Sequence, residues 1–121
     1  MKIKLKGYIK DLTNNETTTI DATAIKNDKK ISYYIEKEKY ILKIISPTKL
    51  ILNRTTDKID STLYFETNKI LTSDYIIKEN SLSLGIDIRT NKLELNNNYI
   101  KITYTVIDSN NDYEYYIEMS E

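Results

Sequence analysis

Apolar and polar residues alternate along nearly the whole chain, and this period of two constrains the fold more than any other feature. The pattern is clearest in residues 81–89, 100–107 and 113–119. A period of two is that of a β-strand with one face buried. Ile, Val, Thr and Tyr, which favour strands, dominate these segments. No segment has a convincing helical period, so the sequence predicts an all-β protein.

Turn-forming residues interrupt the alternation at intervals of about 8–12 residues, which is typical of short antiparallel strands. Asn and Asp supply most of these turns, because the chain has only two glycines and Asn tolerates left-handed backbone well. The single proline, Pro47, is expected to separate two strands. Eleven segments are predicted as strands, and some neighbours could be halves of one bent strand: residues 3–12, 16–25, 30–36, 39–46, 49–54, 58–66, 69–78, 81–89, 91–96, 99–108 and 112–120.

These strands are expected to form a single domain over residues 1–121, because a chain of this length usually makes one domain. About ten short strands do not make a comfortable flat sheet, and they must curl into a barrel or split into a sandwich. Neighbouring strands joined by short turns favour a barrel, which also removes exposed sheet edges. We therefore predict a single antiparallel up-and-down β-barrel of about 8–10 strands.

The residue types that are missing exclude several classes of function. The chain has no Cys and no His, which removes disulfides, thiolate sites, the commonest general base and the commonest zinc ligand. With only Gly7 and Gly85, it has no glycine loop that could hold a phosphate. Acidic pairs exist, but each lies beside a turn or on a polar strand face: Glu36/Glu38, Asp57/Asp60 and Glu114/Glu118. We therefore predict a protein that is not an enzyme and that uses no cofactor or metal.

Charge and hydropathy give few indications of a partner. The 18 basic residues balance the 18 acidic ones, whereas nucleic-acid binders usually carry a basic face. The lysines at positions 2, 4 and 6 alternate with apolar residues, as on the water-facing side of a strand. The chain has no apolar run of about 18 residues and no secretory signal. We therefore expect a cytoplasmic protein without nucleic-acid or membrane partners.

Several segments, in matching order along the chain, resemble the DUF1934 family (the YwiB-like proteins) of Gram-positive bacteria. The matching segments are Ile3–Gly7, Tyr33–Glu36, Leu50–Arg54, Leu63–Glu66, Leu84–Thr90, residues 104–106 and the C-terminal strand. Gly7, Arg54 and Thr90 are the most specific positions. The sequence departs from the family at residues 79–82, which read Glu-Asn-Ser-Leu where relatives carry Thr-Pro-Tyr-Gly. The resemblance implies a calycin-type barrel, similar in architecture to lipocalins, and no transferable activity.

Arg54 and the tyrosines are the candidate ligand-binding residues. Arg54 continues the face of Leu50 and Leu52, so its guanidinium could point into the barrel and hold a carboxylate or phosphate. Alternatively, it could pair with a carboxylate near a strand end, such as Asp57 or Asp60.

Eleven tyrosines against one Phe and no Trp is an unusual choice for a core. Inward Tyr33, Tyr104, Tyr113 and Tyr115 would line a cavity with apolar walls and hydroxyl tips. Alternatively, these tyrosines fill the core and form hydrogen bonds with nearby groups. A cavity would favour a binding module for a small apolar or amphipathic molecule, with Arg54, Tyr33, Tyr104 and Tyr115 as its polar contacts.

A second possibility follows from strands that are apolar on both faces. These are residues 40–45, 50–52 and 75–77. Apolar residues on the outside of a barrel indicate a partner surface or coverage by another segment. The alternative function is therefore a structural or protein-interaction module whose filled barrel forms a homodimer through outward apolar strands.

Overall fold

The computed structural model describes all 121 residues and confirms the all-β prediction. It contains ten strands and no helix, so no helix is available that could cross a lipid bilayer. The strands are β1 (Lys2–Asp11), β2 (Glu16–Asn27), β3 (Lys30–Ile35), β4 (Glu38–Ser46), β5 (Lys49–Thr55), β6 (Ile59–Glu66), β7 (Ile70–Ile77), β8 (Leu82–Leu95), β9 (Tyr99–Val106) and β10 (Asn111–Ser120).

The ten strands form one closed antiparallel barrel in which each strand pairs with its neighbours in sequence. The ladder between β1 and β10 closes the sheet and runs from the pair Lys4–Ser120 to the pair Asp11–Tyr113. This is the up-and-down barrel that the strand spacing predicts.

The structure joins two of the predicted strand segments. Residues 81–89 and 91–96 both belong to β8, and the register with β9 shifts between Thr90 and Lys92. The extra residue is Asn91, whose side-chain amide donates a hydrogen bond of 2.9 Å to the Thr105 hydroxyl. A β-bulge bends a strand without ending it, and the polar run around Asn91 therefore marks a bend within one strand.

Six non-glycine residues at the turns adopt positive φ angles. Four are Asn or Asp, as the composition predicts, and the other two are Glu36 and Ser81. Ser81 lies in the β7–β8 turn, where this sequence departs from the DUF1934 pattern. There the Asn80 side chain accepts a hydrogen bond of 3.1 Å from the Leu82 amide. An Asn side chain and a left-handed Ser thus form the turn without glycine or proline.

Gly7 is required where the barrel closes, because a neighbouring backbone occupies the position of a side chain. A Cβ at position 7 would lie 1.8 Å from the Tyr116 carbonyl oxygen on β10. Neither glycine of the chain has a positive φ, so close approach, rather than backbone conformation, explains Gly7. The two strands pair at this point, with Gly7 opposite Ile117.

Buried hydroxyl groups replace ladder hydrogen bonds where β6 and β7 diverge. The register between these strands ends at the pair Thr62–Asp74. Beyond it, the Tyr64 amide donates to the Ser73 hydroxyl at 3.0 Å, and the Glu66 amide donates to the Thr90 hydroxyl at 3.2 Å. Thr90 also forms backbone hydrogen bonds to the β6–β7 turn. The resemblance singles out Thr90, and its position explains why a hydroxyl residue is needed there.

One half of the barrel interior is filled by aliphatic and aromatic side chains. These residues lie towards the end that holds both chain termini, and nearly all are fully buried: Ile3, Leu5, Ile20, Ala24, Ile31, Leu42, Leu50, Phe65, Ile100, Ile102 and Ile117. The other half, towards the turns after β1, β3, β5, β7 and β9, contains the candidate site.

Replacing Gly7 with alanine should strongly destabilise the barrel, because the new methyl group would overlap the β10 backbone. We expect Gly7→Ala to lower the free energy of unfolding by about 4 kcal/mol or more, or to prevent folding. Gly85→Ala is the matched control, since its Cβ would meet only the Thr72 methyl group, at 3.1 Å. The control should change stability by no more than about 1 kcal/mol. Equal effects in urea denaturation would contradict this explanation of Gly7.

Candidate functional site

A cavity of about 390 Å³ lies inside the half of the barrel that faces the turns. Thirteen residues line it, and all but Arg54 and Ser61 are hydrophobic. The aliphatic lining residues are Ile9, Leu52, Leu63, Ile86, Ile88 and Val106, and the aromatic ones are Tyr40, Tyr75, Tyr104, Tyr113 and Tyr115. An apolar cavity of this size with a few polar groups is typical of a small-molecule site.

The number of strands explains why this space exists. An eight-stranded barrel is just wide enough for its own side chains to fill, and the diameter grows with strand number. With ten strands, aliphatic residues alone do not fill the interior. Stacked tyrosine rings occupy part of the interior. The ring centroids of Tyr33 and Tyr40 are 4.9 Å apart, and those of Tyr104 and Tyr113 are 5.3 Å apart.

Arg54 lies at the wall of the cavity and forms an ion pair with Glu38. Its Nε donates to Glu38 Oε1 at 2.7 Å, and its Nη2 donates to the same oxygen. The Arg54 side chain is 42% exposed and that of Glu38 is 31% exposed, so the pair lies near the open end. The sequence correctly indicated an ion pair for Arg54 but not its partner. The proposed partners Asp57 and Asp60 are not bonded to it, because β4 lies beside β5 and brings Glu38 close.

Tyr33 and Tyr115 join their hydroxyl groups at the boundary between the filled and hollow halves. The two oxygens are 2.7 Å apart. Along β10, Tyr115 lies between the cavity-lining Tyr113 and the core residue Ile117. Tyr33 does not line the cavity, but it stacks on Tyr40, which does. Of the four predicted site residues, the structure therefore places Arg54, Tyr104 and Tyr115 on the cavity wall and Tyr33 behind it.

The hydroxyl groups of two largely buried residues in the cavity, Ser61 and Tyr104, have no hydrogen-bond partner within the protein, and their oxygens remain accessible to solvent. Ser61 is 7% exposed and Tyr104 is 8% exposed, and both line the cavity. The Ser61 carbonyl accepts a hydrogen bond from Asn53, but its hydroxyl is free. Sequence reasoning did not identify Ser61. The pairing of β5 with β6 is the signal that identifies Ser61, because Ser61 lies directly opposite Arg54 in that register.

The phenol groups of the interior are held in their neutral form. Burial raises the pKa of Tyr33 and of Tyr104 well above the ordinary value, and it does the same for Tyr115. Burial opposes the charge of Arg54, but the hydrogen bond to Glu38 and the adjacent Tyr40 raise the pKa of Arg54 overall. The cavity thus contains uncharged hydroxyl groups and one positively charged guanidinium, whose charge is balanced by Glu38.

A depression at the other end of the barrel has a much less apolar lining. It measures about 400 Å³ and is bounded by both chain termini, and only three of its eight lining residues are hydrophobic. No group of three or more carboxylates lies close enough together to hold a metal ion.

Two outward isoleucines, on β4 and β7, lie among polar neighbours. Ile41 is flanked on the adjacent strands by Ser32 and Asn53. Ile76 is flanked by Asp60 and Ser83. Both isoleucines are only partly exposed. These residues do not form one continuous apolar row across the strands. The homodimer through outward apolar strands stays a prediction.

Alkaline titration tests the burial of the tyrosines. Because their pKa values are raised in the fold, Tyr33, Tyr104 and Tyr115 bind protons more tightly in the native than in the unfolded chain. Their contribution to stability is complete below about pH 10, where free tyrosine titrates, and it is lost as the pH rises further.

We therefore expect the tyrosinate absorbance of Tyr115 to appear only together with the loss of the strand circular dichroism. The difference between the titrations of the wild type and Tyr115→Phe isolates this signal. If the tyrosinate absorbance of Tyr115 develops while the strand circular dichroism is intact, Tyr115 ionises in the folded protein, and its burial in the barrel interior is contradicted.

The comparisons with known proteins support the fold. No family model matches the sequence, and no curated protein matches it. Among solved structures, the chain is similar to the YwiB protein from Bacillus subtilis, with a TM-score of 0.69 and 18% sequence identity over 98% of this chain and 89% of YwiB. The resemblance to the YwiB-like proteins thus agrees with the structure at the level of fold. The chain has the β-barrel fold of Bacillus subtilis YwiB.

Proposed function

We propose that this protein is a non-catalytic binding module for a small apolar or amphipathic molecule. The observation that carries the proposal is the hollow half of the barrel, whose apolar wall contains two hydroxyl groups, on Ser61 and Tyr104, that form no hydrogen bond within the protein and remain accessible from the cavity. A ligand that covers the apolar wall also excludes solvent from these hydroxyl groups, and a hydroxyl group buried without a partner costs free energy. A molecule that offers a hydrogen bond to Ser61 or Tyr104 would avoid this cost.

The arrangement of the walls supports recognition of an amphipathic molecule. Aliphatic side chains and tyrosine rings would contact an apolar body, and the hydroxyl groups of Ser61 and Tyr104 would orient a polar end. Arg54 supports the site although it is already paired. Its pairing with Glu38 occupies two guanidinium donors, and the remaining donors could still contact a ligand.

The alternative function, a filled barrel that self-associates, has less support. It requires an interior packed by its own side chains, whereas the half near Arg54 contains about 390 Å³ of free space. It also requires an outward apolar patch, and residues such as Ile41 and Ile76 lie singly among polar groups. We therefore favour the binding module.

Filling the cavity tests the proposal. The uncharged fluorescent probe N-phenylnaphthylamine should bind the wild type saturably, with one site per chain. Ser61→Phe places a ring in the cavity and should weaken binding at least about tenfold, because the apolar volume is lost. Thr19→Phe adds the same ring on the exposed face of β2 and should leave the affinity unchanged.

Circular dichroism and urea denaturation show whether each variant is folded. If Ser61→Phe does not fold, Val106→Phe provides a second cavity-filling substitution near the mouth. A wild type that binds no probe, or a folded cavity-filling variant that binds it as tightly as the wild type, would refute the proposed site.

A further inference from the structure

The β7–β8 hairpin extends beyond the barrel mouth with an apolar inner face. The pairing of β8 with β9 begins at the pair Ile88–Val106, so the segment from Leu82 to Ile86 has no partner on that side. The pairing of β8 with β7 continues to the pair Ile77–Leu82. In this hairpin, the edge of β8 that faces β9 is therefore unpaired from Leu82 to Ile86.

The inner face of this hairpin is continuous with the cavity. Leu82 and Leu84 lie on the same face of β8 as the cavity residues Ile86 and Ile88. Leu82 is nevertheless 45% exposed and Leu84 is 44% exposed. Tyr75 lies opposite Leu84 and belongs to the walls of both the cavity and a more open groove. That groove, of about 740 Å³, also contains Ile59 and Ile77, and four charged residues complete its lining: Asp57, Lys58, Lys78 and Glu79. Because Ile77 lies opposite Leu82, apolar side chains continue from the cavity wall along the inner face of the hairpin.

The charges of the cavity select against a ligand with an ionised group. Arg54 is the only charged residue on its wall, and Glu38 neutralises it. A carboxylate that bound the remaining donors of Arg54 would place a second negative charge beside Glu38 in a partly buried site, and the two like charges would repel each other. The two free hydroxyl groups, on Ser61 and Tyr104, have no such competitor and suit an uncharged hydrogen-bonding group.

We propose that the ligand is a long, narrow apolar chain with an uncharged polar end. This inference rests on the proposed function and specifies its ligand. The polar end, such as a hydroxyl, ester or amide group, binds Ser61 or Tyr104 inside the barrel. The apolar chain leaves the cavity past Tyr75 and covers Leu82 and Leu84 on the hairpin. The cavity of about 390 Å³ and the groove of about 740 Å³ share Tyr75 as a wall, so the space available to the chain extends beyond the cavity.

Ligand length and hairpin polarity together test the path of the chain. Octanol and dodecanol are titrated against bound N-phenylnaphthylamine, with the wild type and with the double variant Leu82→Ser/Leu84→Ser. Dodecanol should bind the double variant about tenfold more weakly than the wild type, because two half-exposed leucines no longer cover its chain. Octanol, which is held inside the barrel, should bind both forms within about twofold.

The matched control removes the same kind of surface elsewhere. Ile45 and Ile70 are 48% and 57% exposed and lie away from the groove. Ile45→Ser/Ile70→Ser should therefore bind dodecanol as the wild type does. Dodecanoate has the same chain length but an ionised end, and at neutral pH it should bind the wild type at least about tenfold more weakly than dodecanol.

The outcomes separate this inference from the proposed function. Equal dodecanol affinity in the wild type and the hairpin variant would overturn the path along the hairpin, while octanol binding would leave the cavity site intact. Tighter binding of dodecanoate would overturn the uncharged end. If no alkanol displaces the probe, and Ser61→Phe does not affect probe binding, the proposed function itself fails. A wild-type dimer that the hairpin variant converts to a monomer would assign the hairpin face to self-association instead.

Discussion

Closure of the sheet through the β1–β10 ladder is the constraint on which the other features of this barrel depend. The two strands approach so closely that the β10 backbone takes the place of a side chain at Gly7. Once ten strands are closed in this way, the interior is wider than an eight-stranded barrel would leave. The aliphatic core fills one half, and the remaining space near the turns becomes a cavity. The candidate site is thus a consequence of strand number and closure.

The two halves of the interior differ in chemistry as well as in packing. The half near the termini consists of apolar side chains, with Ser73 and Thr90 serving only to satisfy the amides of β6. The half near the turns contains tyrosines, an ion pair and two hydroxyl groups without partners. The hydroxyl groups of Ser61 and Tyr104 are accessible from the cavity and form no hydrogen bond within the protein. Their position at the edge of an apolar space is what supports the proposed ligand binding.

Sequence reasoning predicts the architecture well because a period of two directly encodes which side chains point inwards. It therefore places Arg54, Tyr104 and Tyr115 on the inner face. It does not predict the partner of Arg54, since Glu38 is sixteen residues away and only the strand register brings it close. Nor does it identify Ser61, a small polar residue of a common type. The bulge at Asn91 was also missed, because a local run of polar residues does not distinguish a bend from the end of a strand.

The central claim is that the hollow half of the barrel holds a small molecule. Native mass spectrometry of the protein purified from its own host under non-denaturing conditions tests this claim most directly. We expect a complex with one small apolar or amphipathic molecule per chain. The same molecule should be absent from folded Ser61→Phe purified in parallel. Wild-type protein that carries no small molecule, whether as a monomer or as a dimer, would contradict the account.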